Sequence, residues 1–393
     1  MKSDRYVAEG VPVIRGNNLS DNRSLVGDFP FVAPETADEL RSSNVFANDL
    51  VFPHRGAIGM VGIIPVLGPP RWMLSTSLMK LTCDAEVADP LFIFYYFRSS
   101  LGRNSLLEHS SSVGTPGIGQ PLASLRSIRL GLPPLDTQRK IAAILSAYDD
   151  QIENNNRRIK LLEEMAQRLY REWLVDFRHP GHENFPLVDS ELGPIPHGWS
   201  VEPFAKLGNF VNGYAFGPED WGTTGLPIIK IRELKNGVTD ETPRYANALE
   251  EKYVVRDGDL LFSWSAHLDA YLWAGGPAWL NQHLFRVDPA AGIASSFLFH
   301  ALRERMEEFR SRAQGTTMRH IKRSALGQVF TIVPPQALQK AMVAHLAPID
   351  ALTLGLVRSV RNLRTSRDLL LPLLISGEID VADLDILVPE AVA

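Results

Sequence analysis

The strongest constraint on the fold is a repeat. Leu132-Pro133-Pro134 recurs as Val333-Pro334-Pro335, 201 positions later, and a chain that matches itself in this way must build two similar units. The same spacing pairs Gly114-Thr115 with Gly315-Thr316, Gln138-Arg139 with Gln339-Lys340, Leu145 with Leu346 and Asp149 with Asp350. Upstream the spacing widens. Asn48-Asp49-Leu50-Val51-Phe52 pairs with Gly258-Asp259-Leu260-Leu261-Phe262 at 210, and Pro12-Val13-Ile14-Arg15 with Pro227-Ile228-Ile229-Lys230 at 215. The second copy is therefore shorter by about 14 residues, spread over loops, which tolerate changes of length.

Each copy has two parts. The first is a run of short apolar segments broken by Gly, Pro and Asn: Val11 to Arg15, Leu50 to Pro53 and Ala57 to Pro65, then Leu226 to Arg232, Asp259 to Trp264 and Leu284 to Asp288. Such segments predict strands of a mixed, mainly β domain. One helix-like stretch sits in each copy, Leu91 to Ser100 and Ser296 to Arg312. The run Phe92, Phe94, Tyr95, Tyr96, Phe97 suits core packing better than a stacking platform for bases.

The second part begins behind the diproline, which stops a helix in front of it and lets one start just beyond. Apolar residues then recur in steps of four and three: Ile141, Leu145, Tyr148, Ile152, Asn155, Ile159, Leu162, Ala166, Leu169, Trp173. That is a heptad seam. The positions 201 further on are Met342, Leu346, Ile349, Thr353, Leu356, Val360, Leu363, Arg367, Leu370 and Leu374, again mostly apolar. Asn155, Thr353 and Arg367 are polar on the seam, which suits either a device that sets register or a solvated edge. Pro348 predicts a kink or break in the second helix, where the first has Ala147, and Pro372 predicts its end. About 35 helical residues rising about 1.5 Å each span about 50 Å. An antiparallel pair of such helices would put the globular parts at opposite ends, related by a pseudo-twofold axis. That spacing is comparable with or longer than one turn of B-DNA, about 34–36 Å, the separation at which two modules read one face of a duplex.

Composition narrows the class. The 393 residues, 45% hydrophobic and 22% charged, suit two to three globular domains and exclude a disordered or collagen-like chain. The single cysteine, Cys83, cannot form an intramolecular disulfide, which predicts a reducing compartment, the cytoplasm. The polar start, Met1 to Tyr6, leads into no apolar stretch of a secretory signal. The longest apolar runs, Leu91 to Phe97 and Leu369 to Ile375, fall short of the roughly 20 residues that span a bilayer, so no membrane partner is expected. A formal charge of -5 argues against indiscriminate coating of nucleic acid and leaves local basic patches open.

With these features the chain resembles the DNA-specificity subunit of a type I restriction-modification system. The resemblance covers nearly the whole sequence. It is carried by Leu132-Pro133-Pro134-Leu135-Asp136-Thr137-Gln138-Arg139-Lys140-Ile141 leading to Asp149-Asp150-Gln151-Ile152, by Leu370-Leu371-Pro372-Leu373-Leu374-Ile375-Ser376-Gly377-Glu378-Ile379, and by Ile195-Pro196-His197-Gly198-Trp199, which is similar to the usual opening of a recognition domain. The resemblance implies a non-catalytic subunit that chooses the DNA sequence. Each of its two recognition domains would read half of an asymmetric bipartite target, with the helices setting the gap. It implies double-stranded DNA, two modification (methyltransferase) subunits docked along the helices and separate restriction/translocase subunits as partners. S-adenosylmethionine, ATP and Mg would be used by those partners, and no cofactor is expected on this chain.

The expected fold class is α+β, two target-recognition domains each followed by a long helix, the helices forming an antiparallel coiled coil with a pseudo-twofold internal repeat. The expected divisions are a first recognition domain over 1–132, a first spacer helix over 133–178, a linker over 179–200, a second recognition domain over 201–333, a second spacer helix over 334–376 and a tail over 377–393. Carried back by 215, the Gly198-Trp199 opening falls before Met1, so the first domain is expected to lack about 16 or more residues at its start. Either another segment, such as the tail after Ser376, supplies the missing edge, or the domain is shortened and leaves an unpaired sheet edge near Val11 to Arg15.

Bases are read by side chains with hydrogen-bonding groups, while Lys, Arg, Ser and backbone amides hold phosphates. The densest basic segment runs from Arg310 and Arg312 to Arg319, His320, Lys322 and Arg323 around Gly315-Thr316-Thr317. Its counterpart, Glu108 to Gln120 with Thr115, is a loop of Ser, Gly, Thr and Pro, and both loops are expected to face DNA. Arg310 and Arg312 suit a solvated helix face better. Arg15 and Lys230, with Arg232 nearby, stand at equivalent strand ends, where a phosphate or guanine contact and plain surface charge both fit. His54-Arg55 in one copy and Ser263-Trp264-Ser265 with His267 in the other differ in type, as readers of different half-sites must. Trp264 is expected in the core. The seam residues Ile141, Leu145, Ile152, Ile159, Leu162, Leu169, Leu346, Ile349, Leu356, Leu363 and Leu370 are the expected helix and partner contacts.

Catalytic readings fare poorly. The three diprolines lack the Asn and aromatic residue of an adenine methyltransferase motif, and neither Gly56 to Gly62 nor Gly114 to Gly119 fits a phosphate-binding glycine fingerprint. His179 and His182 flank Gly181 without the pattern of a metal site, so neither a catalytic nor a metal residue is expected. A coiled-coil scaffolding or regulatory protein that has lost one DNA-reading half is the alternative.

Overall fold

The computed structural model describes residues 5–20, 22–111, 116–181, 186–315 and 320–389. The chain divides into two compact units, residues 1–153 with 362–393 and residues 154–361. These bounds cut through both long helices, Leu135–Leu174 and Gln336–Ser376. Each unit thus holds a globular domain, the first half of the helix that follows it and the second half of the other helix. The division differs from the expected one, which kept the helices as bodies of their own.

Both units contain the same pair of sheets. In the first, the strand order is Tyr6–Val7, Phe31–Val32, Val11–Ile14, Trp72–Leu74, Asn44–Val45, with Val11–Ile14 parallel to Trp72–Leu74. In the second it is Arg244–Tyr245, Leu226–Ile229, Ala278–Leu280, Val254–Val255, with the same central parallel pair. The other sheets are Gly62–Ile63, Leu50–Pro53, Leu78–Leu81 and Gly208–Asn212, Leu284–Pro289, Leu260–Ser263, Asp269–Leu272, all antiparallel. Leu284–Pro289 is therefore paired on both sides, whereas its counterpart Leu78–Leu81 ends its sheet. Among the described residues the open edge lies there and not near Val11 to Arg15, because Val11–Ile14 has a partner on each side and the first unit has no counterpart of Gly208–Asn212, the strand that covers Leu284–Pro289. The tail after Ser376 packs against the first unit's core: Val381 is buried, Ile379 and Ile386 are half-buried, and Lys140 Nζ donates to the Ala382 carbonyl at 2.6 Å.

Several local expectations shift. The segment Leu226 to Arg232 is strand only to Ile229, after which Ile231–Asn236 is helical. Leu91 to Ser100 becomes Pro90–Arg98, capped by Asp89 accepting the Phe92 N–H at 2.9 Å, followed by Ser100–Leu107. Ser296 to Arg312 splits into Ser295–Glu304 and Met306–Ser311. Within Ala57 to Pro65 only Gly62–Ile63 is strand. The aromatic run Phe92 to Phe97 is buried throughout, as core packing requires.

Both long helices start right behind their diprolines, and the second runs unbroken through Pro348 and Pro372 to Ser376. The expected break and early end do not occur. A helical proline removes one hydrogen bond to the carbonyl four residues back. Here those carbonyls belong to Ala344 and Asp368, which are exposed, as are both prolines, so water can satisfy them. The end comes at Gly377, whose φ of 77° only glycine adopts easily, with Ile379 N–H returning to the Leu373 carbonyl at 3.1 Å. At 41 residues the second helix is by length and composition long and apolar enough to cross a membrane, its most apolar 18 residues averaging a hydropathy of 1.3. Length alone therefore does not exclude a span, contrary to expectation. The same helix, however, carries Gln339, Asp350 and Arg367, all buried and bonded within the units.

The helix halves pair antiparallel. In the second unit Asn155 Nδ2 meets Ser359 Oγ at 3.2 Å, and the rings of Trp173 and His345 lie 5.6 Å apart. In the first, Arg367 binds Asp149 at 2.6 Å. Ile141, Leu145, Ile152, Leu346 and Leu356 are buried, and Ile159, Leu162, Leu169, Ile349, Leu363 and Leu370 are half-buried. Of the polar seam positions, Asn155 and Arg367 are buried and bonded rather than solvated. The repeated glutamine has a repeated role. Gln138 Oε1 accepts the Asp89 N–H at 3.0 Å and Gln339 Oε1 accepts the Ala294 N–H at 2.9 Å, each tying a long helix to the short helix of its own domain.

Candidate nucleic-acid interface

In each unit the strand bearing the repeated cation ends in the same way. Strand Leu226–Ile229 stops at Lys230, whose backbone N–H goes to Glu233 Oε2 at 3.0 Å. Strand Val11–Ile14 stops at Arg15, whose N–H goes to Asn18 Oδ1 at 2.9 Å. Both acceptor side chains are buried. Each cation then lies over an aromatic ring: the Lys230 ammonium 3.8 Å from the Trp221 ring centre, the Arg15 guanidinium 5.2 Å from that of Tyr6. Trp221 remains 50% exposed. Burial pulls the Lys230 ammonium below its ordinary pKa, Arg232 adds to the effect and Glu233 opposes it.

The neighbouring parallel strand brings the next groups. Ser75 N–H bonds the Ile14 carbonyl at 2.9 Å, and Asn281 N–H bonds the Ile229 carbonyl at 3.2 Å. These lead into Ser75-Thr76-Ser77 and Asn281-Gln282-His283. His54 Nε2 pairs with the Thr76 carbonyl at 2.9 Å, and the His283 ring lies 5.7 Å from that of Trp264. Burial, then the charge of Lys230, holds the His283 imidazole below its ordinary pKa. The far ends match too: Ile118 N–H bonds the His54 carbonyl and Ile321 N–H the Trp264 carbonyl. Each chain then turns through a left-handed residue, Gly56 at φ 79° and Ala266 at φ 55°.

The result is one row of side chains per unit, Tyr6, Arg15, Ser75 to Ser77, His54 in the first and Trp221, Lys230, His283, Trp264 in the second. Three buried polar atoms in these rows, His54 Nδ1, His283 Nδ1 and Trp264 Nε1, have no hydrogen-bond partner. Such an atom costs about 1–3 kcal/mol unless an outside group completes its bonding.

Thr115, Thr316 and Arg319, expected to contact DNA, lie outside the described residues, as does His182. Arg15, His54 and Lys230 stand in the rows. Arg55 is exposed beside His54, bridged through its backbone to Gly117. His320 comes to the end of the second row, bridged to Ser265, with its ring 6.5 Å from Trp264. Lys322 is exposed next to it, and the Arg323 guanidinium lies 5.6 Å over the Phe285 ring. Arg232 is turned to its own chain, bonding Glu233 at 3.1 Å and Glu241 at 3.3 Å. Arg310 pairs with Glu307 and Arg312 with Glu308 along their helix.

The sequence matches the type I restriction modification DNA specificity domain over residues 1–164 and 196–362. The chain belongs to this family. It is 24% identical over 308 residues to the type I restriction enzyme MjaIX specificity subunit of Methanocaldococcus jannaschii, covering 75% of this chain and 70% of that one. It is 23% identical over 379 residues to the HindI specificity subunit of Haemophilus influenzae, covering 79% and 82%. The crystal structure of a type I restriction-modification S subunit from M. genitalium shares the fold, with a TM-score of 0.57 at 14% identity over 95% of this chain and 91% of that one. The protein is thus a non-catalytic specificity subunit, the component that recognises DNA sequence.

Tyr6, Trp221, His283 and the Ser75 and Ser77 hydroxyls of this specificity subunit escaped the sequence reading, and Trp264 was expected in the core. Trp264 is half-buried, packed against the second unit's core as expected, and borders the row. A signal for two of them existed: Tyr6 and Trp221 stand 215 apart, the same spacing as Arg15 and Lys230.

Proposed function

We propose that this specificity subunit reads an asymmetric two-part DNA target, one part with each row, and that the long helices set the gap between the parts. The observation that carries the reading is the pair of rows, equivalent in place and different in chemistry. One row carries Arg, Ser and His and the other Lys, His and Trp, so two copies of one scaffold present different hydrogen-bonding groups to base edges. Arg55, His320, Lys322 and Arg323 flank the rows and suit phosphate contacts, a role the reading extends to Thr115, Thr316 and Arg319 from the sequence alone.

The reading includes two modification subunits and the restriction/translocase subunits as partners, with S-adenosylmethionine, ATP and Mg used by them and none held by this chain. It places the complex in the cytoplasm. Mapping adenine methylation in cells with and without this chain tests it. The expected result is one bipartite motif, methylated only when the chain is present; equal methylation in every adenine context would overturn the reading.

A further inference from the structure

Resting on the DNA-recognition reading, the geometry points to Trp221 and Tyr6 as specificity-determining plates. We infer that each holds its cation, Lys230 or Arg15, as a fixed reader of a guanine edge, one in each half of the target. A lysine or arginine that merely holds a phosphate needs no such support, because the backbone charge is reached from many side-chain conformations. A base reader must arrive with its donors aimed, since guanine O6 and N7 accept only within a narrow geometry.

The structure supplies the aiming twice. Lys230 and Arg15 are fixed at the backbone by Glu233 and Asn18 and at the head by a ring. A charged group over an aromatic face is attracted to it and loses side-chain freedom before binding rather than during it. Trp221 keeps half its surface in water, an exposure that packing does not explain. Lys230 also acts on His283, whose Nδ1 has no hydrogen-bond partner and whose ring lies 5.7 Å from that of Trp264, and Arg15 follows Ile14, whose carbonyl is bonded by the Ser75 N–H. Phosphate oxygens only accept, whereas base edges both donate and accept, as an unpartnered imidazole nitrogen and an indole N–H together require. The two cations are not equivalent. Arg15 carries a planar fork able to make both bonds to one guanine, whereas the Lys230 ammonium is a point charge.

The test uses the full chain assembled with its modification subunits and binding selection from a randomised duplex library at several salt concentrations. Lys230→Gln should relax the preference at one guanine of one half-target by about 5- to 150-fold, with other positions unchanged. Arg15→Gln should do the same in the other half. Trp221→Ala should lose part of the same preference at the same base pair, and Trp221→Phe should restore it, while the salt dependence stays that of the parent.

A uniform loss across all sequences, with the salt slope falling by about one for Lys230→Gln, would make the cation a phosphate contact and overturn the inference while leaving DNA recognition intact. A parent complex without any sequence preference would overturn the functional reading itself. Assembly with the modification subunits and the circular dichroism of each variant separate these results from misfolding.

Discussion

In the first unit the carboxylate of the long helix lies among three guanidiniums, whereas its counterpart in the second meets a hydroxyl and an imidazole. Asp149 binds Arg367 at 2.6 Å and the Tyr95 hydroxyl at 2.7 Å, with Arg98 and Arg23 within 3.9 Å. Asp350 accepts from Ser296 Oγ and pairs with His300 Nε2 at 2.9 Å. Tyr95 and His300 hold equivalent places on equivalent helices. The lesson is that the repeat preserves a position and a polarity, a carboxylate facing the domain's short helix, and leaves the partner free. The cost follows the partner. Burial drives the Arg98 guanidinium below its ordinary pKa, with Arg367 as the next cause, and burial followed by Asp149 pushes the Tyr95 hydroxyl well above its own.

The largest expected difference between the units is therefore in what removal of that charge does. Asp149→Asn leaves buried guanidiniums facing a neutral amide and should cost about 3–5 kcal/mol, as breaking a buried ion pair does. Asp350→Asn removes an acceptor from a hydroxyl and an imidazole and should cost about 1–3 kcal/mol. Urea unfolding of the full chain, followed by probes in each unit, measures both. Equal costs would mean that the guanidiniums around Asp149 are hydrated well enough to stand alone, and the contrast between units would collapse.

The glutamine clamp predicts a smaller contrast. Gln138 and Gln339 make the same bond to the same kind of amide, and Gln138 Nε2 also donates to the Val87 and Pro133 carbonyls at 3.0 and 2.9 Å. Gln138→Ala and Gln339→Ala should each cost about 1–3 kcal/mol, the first more than the second. A larger loss for Gln339→Ala would show that the two added bonds contribute nothing.

How far the sequence revealed these features depends on what each one rests on. Spacing was enough for Arg15 with Lys230, Gln138 with Gln339 and Asp149 with Asp350, because a repeat transmits positions whatever the chemistry. Periodicity was enough for the seam, where no expected residue is fully exposed. It failed for Pro348, because whether a proline breaks a helix depends on where the freed carbonyl points, and Ala344 happens to face water. It failed for the open strand Leu78–Leu81, because edge or interior is decided by a partner far away in the chain. Trp264 packs against the core as expected; that it also borders the row has no mark in the sequence. The Tyr6 and Trp221 rings shared the spacing of 215 with their cations and would have been found by carrying the repeat beyond the matched letters.

A smaller contrast lies at the left-handed turn behind each row. Gly56 sits there without strain, whereas Ala266 carries a Cβ at φ 55°. Gly56→Ala should destabilise the first unit by about 1 kcal/mol and Ala266→Gly should stabilise the second by a similar or smaller amount, the loosened unfolded chain offsetting part of the relief. Thermal unfolding of the two variants gives the sign. Two losses would mean that the Ala266 methyl makes contacts worth more than the strain it creates.

The smallest expected effect concerns pH. In the second unit His267 and His283 both have pKa values below the ordinary 6.5, by burial first and then by Lys235 and Lys230 respectively. For such a group the unfolded chain takes up its proton at a higher pH than the folded one. As pH falls through about 6.5 the unfolded state therefore binds more protons, and stability declines until the folded imidazoles also titrate. Both residues are only half-buried, so the effect is modest. The test is the second unit's melting temperature compared between about pH 7 and about pH 5, for the parent and for His283→Gln. The variant should show a smaller acid-induced drop than the parent, because its amide takes up no proton in that range. An unchanged drop would mean that His283 is protonated as readily in the fold as outside it. The cation beside it would then be too well hydrated to be held by the ring and the row as described, so this weak effect bears directly on the place given to Lys230.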